Sequence, residues 1–266
     1  MELITVNSEK CIQCGVCVSE CPTFVLALEK DGPKAAQPRA CIACGHCVAV
    51  CPTEAIDNAK TPLAGQSEIE GYETLGAEEA KAFLRSQRSI RSFKKTAVPR
   101  EKLLQLVDIA RFAPTGSNRQ GVSYLIVEDK SLIKKAAEMT IEWLENDPEL
   151  QRRFPQIIKG YREKGSDSIL RNASSLILTT ALKKLGSGRE NSIFSLAYLE
   201  LYAPSLGLGS CWAGLFEACA LAEGSNMLDL FKIPADRKIT GAVMVGYPQH
   251  RFKRLVDRNP LDVSFL

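Results

Sequence analysis

The sequence predicts an α+β protein of two domains, and three observations lead to this prediction. Eight of the ten cysteines lie within residues 11–51, in two runs with the same spacing. Residues 59–76 contain scattered glycines, a proline and acids among isolated apolar residues, which is typical of a linker. From Ala77 onward, helical patterns alternate with a few well-separated strand patterns. We therefore expect a small cysteine-rich domain over residues 1–58 and a larger α+β domain over residues 77–266.

The two cysteine runs form an internal repeat. Both follow the pattern C-x-x-C-x-x-C-x-x-x-C-P, and Gly15 of the first run recurs as Gly45 of the second. A cubane iron–sulfur cluster needs four converging thiolates, and two-residue gaps let one loop present three of them. The glycine leaves room for the backbone beside the cluster. In this arrangement the fourth cysteine of each run binds the other cluster.

The pattern assigns the eight cysteines to two 4Fe–4S clusters. The first set of ligands is Cys11, Cys14, Cys17 and Cys51, and the second set is Cys41, Cys44, Cys47 and Cys21. Two alternatives are a zinc site and a disulfide framework. Structural zinc usually takes two separated C-x-x-C pairs, and disulfides need an oxidising compartment, which no N-terminal secretion signal predicts here. The spacing favours the clusters over both.

Composition and charge narrow the class of protein. The chain has 45% hydrophobic and 24% charged residues, as globular proteins do, and no apolar run approaches the roughly eighteen residues of a membrane span. We therefore expect a cytoplasmic protein that binds no membrane. Residues 1–58 carry a net charge of −3 and the remainder +6. A mildly basic larger domain suits an anionic cofactor, but the charge is too small and unclustered to predict nucleic-acid binding.

Three fragments of the larger domain carry groups suited to a planar, phosphorylated cofactor. Arg88-Ser89-x-Arg91 follows a predicted helix, and forked guanidiniums match phosphate oxygens. The loop 114–120 offers amides that can bind the edge of a heterocycle. The glycine-rich stretch 207–214 lets a flat ring lie against backbone. Each fragment alone also fits an ordinary explanation: a solvated helix end, a polar turn or a glycine-rich strand exit.

The order and spacing of these fragments resemble those of a known family. Residues 77–260 resemble the flavin-dependent nitroreductase family, and residues 4–56 resemble a bacterial-type two-cluster ferredoxin. The first resemblance implies FMN as cofactor, an α+β sandwich and an intertwined homodimer. Two positions depart from the family pattern: Thr115 replaces the usual serine, and Gln87 stands where many members have a basic residue.

The same resemblance implies which residues bind FMN. No catalytic side chain is expected, because in such proteins the flavin performs the chemistry. The FMN-binding residues implied by the resemblance are Arg88, Ser89, Arg91, Pro114, Thr115, Asn118, Gln120, Trp212, Ala213, Gly214 and, as a late phosphate contact, Arg258 or Arg254.

Several elements of the larger domain are expected from local patterns. Tyr124–Val127 and Ser175–Leu182 are predicted strands, Ser192–Tyr202 is a predicted amphipathic helix, and Gly241–Gly246 is a predicted last core strand. Residues 145–172 are charged, contain two prolines and show broken periodicity. We expect an excursion there, such as a lid or a dimer arm.

These features together predict an FMN-dependent oxidoreductase. The two clusters would relay electrons from a low-potential donor, such as ferredoxin, to FMN, which would reduce a small organic acceptor such as a nitro compound or a quinone. The fusion favours a one-electron donor, since a typical nitroreductase takes hydride from NAD(P)H and needs no cluster. Two alternatives stay open: a non-catalytic electron-transfer module, and a flavoenzyme for ene reduction, dehalogenation or desaturation on the same fold.

Overall fold

A computed structural model describes residues 2–69 and 71–266 of the chain. The chain divides into two units, and each is described by itself. The first unit comprises Met1–Thr74 and Ser117–Arg119, and the second comprises Leu75–Gly116 and Gln120–Leu266.

The first unit is built from two small antiparallel sheets and two one-turn helices. Strand β1 pairs with β4, and β2 pairs with β3. Apolar side chains from β1, β2 and β4 are buried between the sheets and the cysteine loops, in a core of modest size. The elements are β1 (Ile4–Val6), α1 (Val16–Ser19), β2 (Leu26–Glu29), β3 (Gly32–Ala35), α2 (His46–Ala49) and β4 (Ile56–Asn58), with 3₁₀ turns at Pro38–Ala40 and Leu63–Gly65.

The sequence repeat becomes a structural repeat in this unit. Gly15 and Gly45 stand just before α1 and α2 with φ of 73° and 77°, a left-handed conformation that glycine adopts without a Cβ clash. Each helix then buries the third cysteine of its run, Cys17 or Cys47. The same residue types at the same spacing therefore produce the same loop and helix twice.

The second unit is organised around a four-stranded antiparallel sheet of order β5-β6-β8-β7. The strands are β5 (Ser123–Val127), β6 (Ser175–Leu182), β7 (Gly209–Trp212) and β8 (Arg237–Gly246). Seven of the eight residues of β6 are buried, as expected for an apolar central strand covered on both faces. Strand β8 begins four residues before the predicted Gly241. Its first residue, Arg237, donates hydrogen bonds to Thr180 of the adjacent strand β6 and to Ser123 of β5, the strand beyond it.

Helices cover both faces of this sheet. The helices are α3 (Ala77–Ser86), α4 (Arg100–Ala110), α5 (Lys130–Asn146), α6 (Pro148–Arg153), α7 (Pro155–Lys164), α8 (Gly188–Tyr202), α9 (Gly214–Leu221) and α10 (Met227–Leu230). Leu176 and Leu178 of β6 pack with α5 and α9, whereas Ile177 packs with α4 and α8. Successive strand residues point to opposite faces, so one strand serves two cores. Within the described ranges, no helix is long and apolar enough to cross a bilayer.

Residues 148–164, within the predicted excursion, form two helices, and a role as a lid or a dimer arm stays a prediction. Pro148 and Pro155 are the first residues of α6 and α7, where a missing N–H costs nothing because it would have no partner within the helix. The Asp147 carboxylate caps α6 by accepting the N–H groups of Glu149 and Leu150 at 2.8 and 3.1 Å. The prolines that broke the sequence periodicity therefore begin helices.

Candidate functional site

The eight repeated cysteines gather around two cavities of the first unit. Each cavity has an empty volume of about 350 Å³. Each combines three cysteines of one run with the fourth cysteine of the other, which is the grouping that the spacing predicts; ligation itself stays a prediction. The first cavity is lined by Cys11, Cys14, Cys17 and Cys51, and the second by Cys41, Cys44, Cys47 and Cys21.

Backbone N–H groups point at the sulfur of the fourth cysteine in each run. The N–H of Val25 lies 3.2 Å from the sulfur of Cys21, and that of Ala55 lies 3.2 Å from the sulfur of Cys51. Burial opposes ionisation of both thiols, but these and neighbouring hydrogen bonds outweigh it and lower the pKa of each. Four converging sulfurs with N–H donors around them fit a 4Fe–4S cluster in each cavity.

Two of the three predicted cofactor-binding fragments meet at the edge of the sheet in the second unit. Ser89 forms a parallel bridge with Ser210 of β7, and the N–H of Ile90 donates to the carbonyl oxygen of Ser210 at 2.8 Å. Gly209 must be glycine here, because a Cβ at that position would lie 2.4 Å from a side-chain carbon of Ile90. The Arg88–Arg91 segment thus continues the sheet beyond β7.

The Arg88 guanidinium is only partly satisfied. Its Nη1 donates to the carbonyl oxygens of Arg85 and Gln87, both at 2.7 Å. Its Nε and Nη2 are buried and have no hydrogen-bond partner within the described part of the chain. Buried donors are nearly always paired, and a forked guanidinium matches phosphate oxygens. The environment of Arg88 therefore fits the phosphate group of FMN.

The C-terminal tail approaches the helix that leads to Arg88. Asp257 forms an ion pair with Arg85 at 3.7 Å, and Arg85 lies one turn before Arg88. Arg258 follows Asp257 directly, and both Arg258 and Arg254 are exposed. This ion pair is compatible with a late arginine near the phosphate, and the choice between the two arginines stays a prediction.

The loop 114–120 is strained. Ser117, Asn118 and Gln120 have φ of 52°, 51° and 48°, a left-handed conformation that is costly for residues with a Cβ and is typical of functional loops. Pro114 is exposed, and Thr115 accepts the N–H of Gln120 at 3.0 Å. Within the second unit, the N–H of Gly116 donates to the side chain of Asn191 of α8 at 3.1 Å.

Asn118 belongs to the first unit together with Ser117 and Arg119. There its side-chain amide donates to the carbonyl oxygens of Ile42 and Ala43, at 3.1 and 2.7 Å. The FMN-binding roles of Asn118 and Gln120 stay predictions.

Trp212 is held by a buried carboxylate that the sequence did not indicate. Its indole N–H donates to Glu217 of α9 at 2.6 Å, and Glu217, which is 4% exposed, also accepts from the guanidinium of Arg189 in α8. Ala213 is fully buried and Gly214 is exposed. These three partners come from a strand and two different helices, so no local pattern could have revealed them.

The second unit also contains an open groove with an excess of positive charge. Its empty volume is about 2160 Å³. Arg91 lies in it, and the sequence did not single out its other cations, which come from separate elements. They include Lys95, Lys130, Lys134 and Arg171.

The acidic groups of this groove already have partners, one of which, Arg162, also lines the groove. Glu138 is paired with Arg162, and the Asp167 carboxylate accepts three backbone N–H groups at 2.8 to 3.0 Å. Burial lowers the pKa of Lys130. A groove of this charge, continuous with the Arg88–Arg91 segment through Arg91, is suited to an anionic cofactor.

Comparison with known families agrees with these two sites. Residues 84–247 match the nitroreductase family, and residues 10–56 match a 4Fe-4S dicluster domain. The first match spans more than half of the chain, and the protein therefore belongs to the nitroreductase family. The predicted fusion of a two-cluster iron–sulfur domain with a flavin-dependent nitroreductase domain is confirmed, and the matches support FMN and 4Fe–4S clusters as cofactors.

Individual relatives extend this comparison. Iodotyrosine deiodinase of Thermotoga neapolitana is 27% identical over 168 residues, which are 62% of this chain and 86% of that protein. A solved structure of iodotyrosine deiodinase bound to FMN and 3-iodo-L-tyrosine is 25% identical, with a TM-score of 0.54 over 70% of this chain and 97% of that chain. An FMN-bound nitroreductase from Desulfitobacterium hafniense is 20% identical, with a TM-score of 0.58 over 71% of this chain and all of that chain. These likenesses confirm the α+β fold.

Proposed function

We propose that this protein is an FMN-dependent oxidoreductase fed with electrons by its own iron–sulfur domain. Two 4Fe–4S clusters relay single electrons from a low-potential donor, such as reduced ferredoxin, to FMN, and a small organic acceptor is reduced. The observation that supports this proposal is the presence of two four-cysteine cavities in the same chain as a nitroreductase domain. A hydride donor would not need the clusters, whereas a one-electron carrier would.

The proposal gives each part of the chain a task. Residues 1–58 hold the clusters through the eight repeated cysteines, residues 59–76 form the linker, and residues 77–266 bind FMN. Bound FMN supplies the conversion between one-electron and two-electron chemistry. Arg88 binds the phosphate with its open Nε and Nη2 donors, and the glycine-rich segment ending at Gly214 lies against the flavin ring.

Reduction of a nitro compound to a nitroso compound is the first candidate reaction. It consumes two electrons and two protons and releases one water, and two reduced ferredoxins supply the two electrons. The organic acceptor is expected to bind over the flavin, so no side chain of the protein needs to act as a nucleophile.

Reductive dehalogenation is a second candidate, favoured by the two iodotyrosine deiodinases among the relatives. In that reaction an aryl carbon–iodine bond is replaced by carbon–hydrogen, with two electrons and one proton consumed and iodide released. It uses the same electron supply. The two candidates therefore differ in the acceptor, in the number of protons consumed and in the group released.

A homodimer is part of the proposal. The outer face of α8 carries Ile193, Phe194 and Tyr198, whose exposed fractions are 41%, 54% and 41%, and Phe112 near the end of α4 is 61% exposed. Apolar groups grouped on a surface favour association with another protein surface. A second copy of the chain, as the family resemblance implies, is the proposed partner, and a cytoplasmic location is proposed with it.

The electron donor is the first test of the proposal. Anaerobic holoenzyme is mixed with reduced ferredoxin or with NAD(P)H, and bleaching of the flavin absorbance is followed. We expect fast bleaching with ferredoxin, and much slower bleaching in Cys44→Ala, which removes one predicted cluster ligand. Equal rates in both proteins would exclude the clusters as the entry route. Turnover with nitroaromatics, quinones and 3-iodo-L-tyrosine as acceptors then separates the candidate reactions.

A further inference from the structure

The two cluster cavities differ at one equivalent position of the repeat. Leu28 of β2 lines the cavity of Cys11, Cys14, Cys17 and Cys51. Asn58 of β4, at the corresponding place in the second half of the repeat, lines the other cavity. The two halves therefore place an alkyl group beside one set of sulfurs and an amide beside the other.

The Asn58 amide is oriented so that its donor faces sulfur. Its Nδ2 lies 3.8 Å from the sulfur of Cys41 and 3.8 Å from the sulfur of Cys47. Its Oδ1 accepts the backbone N–H of Lys60 at 3.0 Å, and this hydrogen bond distinguishes the oxygen of the amide from the nitrogen. The residue is 2% exposed, and pairing of β4 with Ile4 of β1 fixes its backbone. Water therefore does not replace the amide as a donor to these sulfurs.

A positive charge lies beside the same cavity. The Lys60 ammonium donates to the carbonyl oxygen of Cys41 at 2.9 Å. In the first cavity, Leu28 has no polar side-chain atom and is 46% exposed. Cys14 of the same cavity is also exposed. Solvent near Cys14 also stabilises charge, but a buried donor in a low-dielectric site interacts more strongly than a mobile water.

Reduction adds one negative charge to a cluster. Hydrogen bonds to the sulfurs and nearby positive charge stabilise the reduced form more than the oxidised form, and both are known determinants of cluster potential. An apolar neighbour such as Leu28 provides neither interaction. The amide of Asn58 is thus expected to favour the reduced form of the cluster that it contacts.

We propose that Asn58 raises the reduction potential of the cluster held by Cys21, Cys41, Cys44 and Cys47 above that of the other cluster. One electron then moves from the reduced first cluster to the oxidised second cluster, the first being oxidised and the second reduced, with no proton transferred. This inference rests on the proposed role of the clusters as a relay. It gives the relay inside the first unit a direction.

Redox titration of the holoenzyme, followed by electron paramagnetic resonance of the clusters, tests the proposal. Wild-type protein should show two separate waves. Asn58→Leu, which copies Leu28, should lower the higher wave by a tenfold or larger change in the one-electron equilibrium constant, about 59 mV or more, and leave the lower wave in place. Unchanged waves in Asn58→Leu would overturn the proposal.

Gln66→Leu is the matched control. Gln66 also belongs to the first unit, and its amide donates to the carbonyl oxygen of Thr61 at 3.0 Å instead of to a sulfur. We expect both waves to stay in place in this variant. A shift in Gln66→Leu as large as that in Asn58→Leu would show that any lost amide perturbs the clusters, and would contradict a specific role of Asn58.

A reciprocal variant covers the case in which Asn58→Leu fails to assemble its cluster. Leu28→Asn leaves the second cavity intact and places an amide beside the first. It should raise the lower wave, and an unmoved lower wave would overturn the proposal. Because these potentials are measured on the clusters themselves, a failure of ferredoxin to reduce FMN would contradict the proposed function and leave this result unaffected.

Discussion

The cluster sites of the first unit and the flavin-binding region of the second unit are assembled in different ways. All eight predicted cluster ligands come from forty-one consecutive residues, 11–51, and two identical spacings bring them to two cavities. The predicted flavin contacts run from Arg88 to Arg258 and lie on a strand, a strained loop, a helix end and the tail. Sites made by two short loops of the same spacing are visible in the sequence, whereas a site made across a sheet depends on packing.

The hydrogen bonds to the predicted cofactor-binding residues also differ between the two units. In the first unit the sulfurs of Cys21 and Cys51 accept backbone N–H groups from four residues later. In the second unit Trp212 donates to Glu217 of one helix, and Glu217 in turn accepts from Arg189 of another helix. Replacement of one residue should therefore remove a whole cluster in the first unit and produce graded losses in the second.

Loss of Cys21 should have the largest effect. Cys21→Ala is expected to remove the cluster shared with Cys41, Cys44 and Cys47, because all four line one cavity. Iron in anaerobically purified protein should fall from about eight to about four atoms per chain. Iron and acid-labile sulfide analysis measures this change.

The identity of the lost cluster is the decisive part of this test. Cys51→Ala should lose the other cluster, so the two variants should retain clusters with different reduction potentials. Cys219→Ala, a buried cysteine of the second unit, should keep all of the iron. If Cys21→Ala instead loses the cluster of its sequence neighbours Cys11, Cys14 and Cys17, the crossed assignment is wrong.

An intermediate effect is expected for Arg88 in the second unit. Arg88→Ala should weaken FMN binding by about 1.5–3 kcal/mol, the contribution of a hydrogen bond to a charged group. This corresponds to roughly a tenfold to hundredfold higher dissociation constant. Titration of FMN into the flavin-free protein by fluorescence quenching measures the change.

Arg100→Ala is the control for that measurement. The Arg100 side chain is 84% exposed and pairs with Glu128 on the surface, so its removal should leave FMN affinity unchanged. If the double replacement of Arg88 and Arg91 retains full affinity, the phosphate site must lie elsewhere. In that case the sequence would have located the cluster sites but not the phosphate site of FMN.

The smallest effect is expected from Glu200 of α8. Burial raises the pKa of Glu200, although a hydrogen bond from Ser210 at 3.2 Å acts in the opposite direction. The folded protein therefore holds this proton at pH values where the unfolded chain, with a glutamate pKa of about 4.3, has lost it. The contribution of Glu200 to the free energy of unfolding therefore decreases as the pH rises from about 4.3 through the raised pKa of Glu200 in the folded protein.

Glu200→Gln should remove this pH dependence. We expect it to raise the melting temperature of the second unit at pH 7 and to flatten the decline that begins above about pH 4.3. Glu190→Gln, on an exposed residue of the same helix, is the control and should change neither quantity. An unchanged pH profile in Glu200→Gln would mean that this carboxyl does not contribute to it.

Much of the fold could be predicted because its signals are local. Strand β6 was predicted with its observed bounds, since its apolar and β-branched residues suit a strand buried on both faces. The start of β8 was missed because Arg237 and Lys238 are polar, and the side-chain partners of Arg237 lie on β6 and β5, which are distant in sequence. Helices α6 and α7 were not predicted, because the periodicity of that stretch is broken; the prolines do not prevent them, since a proline at the first position of a helix is well tolerated.

The sequence by itself determined the two-domain α+β organisation, the grouping of the cysteines and the family to which the chain belongs. Those conclusions rest on spacings within single loops, where chain geometry allows few arrangements. Only the tertiary structure decided which side chains of separate elements converge: Asn58 beside Cys41 and Cys47, and Arg189 beside Glu217. Such contacts join residues that separate elements bring together, and the packing of those elements is a property of the whole unit that no local pattern records.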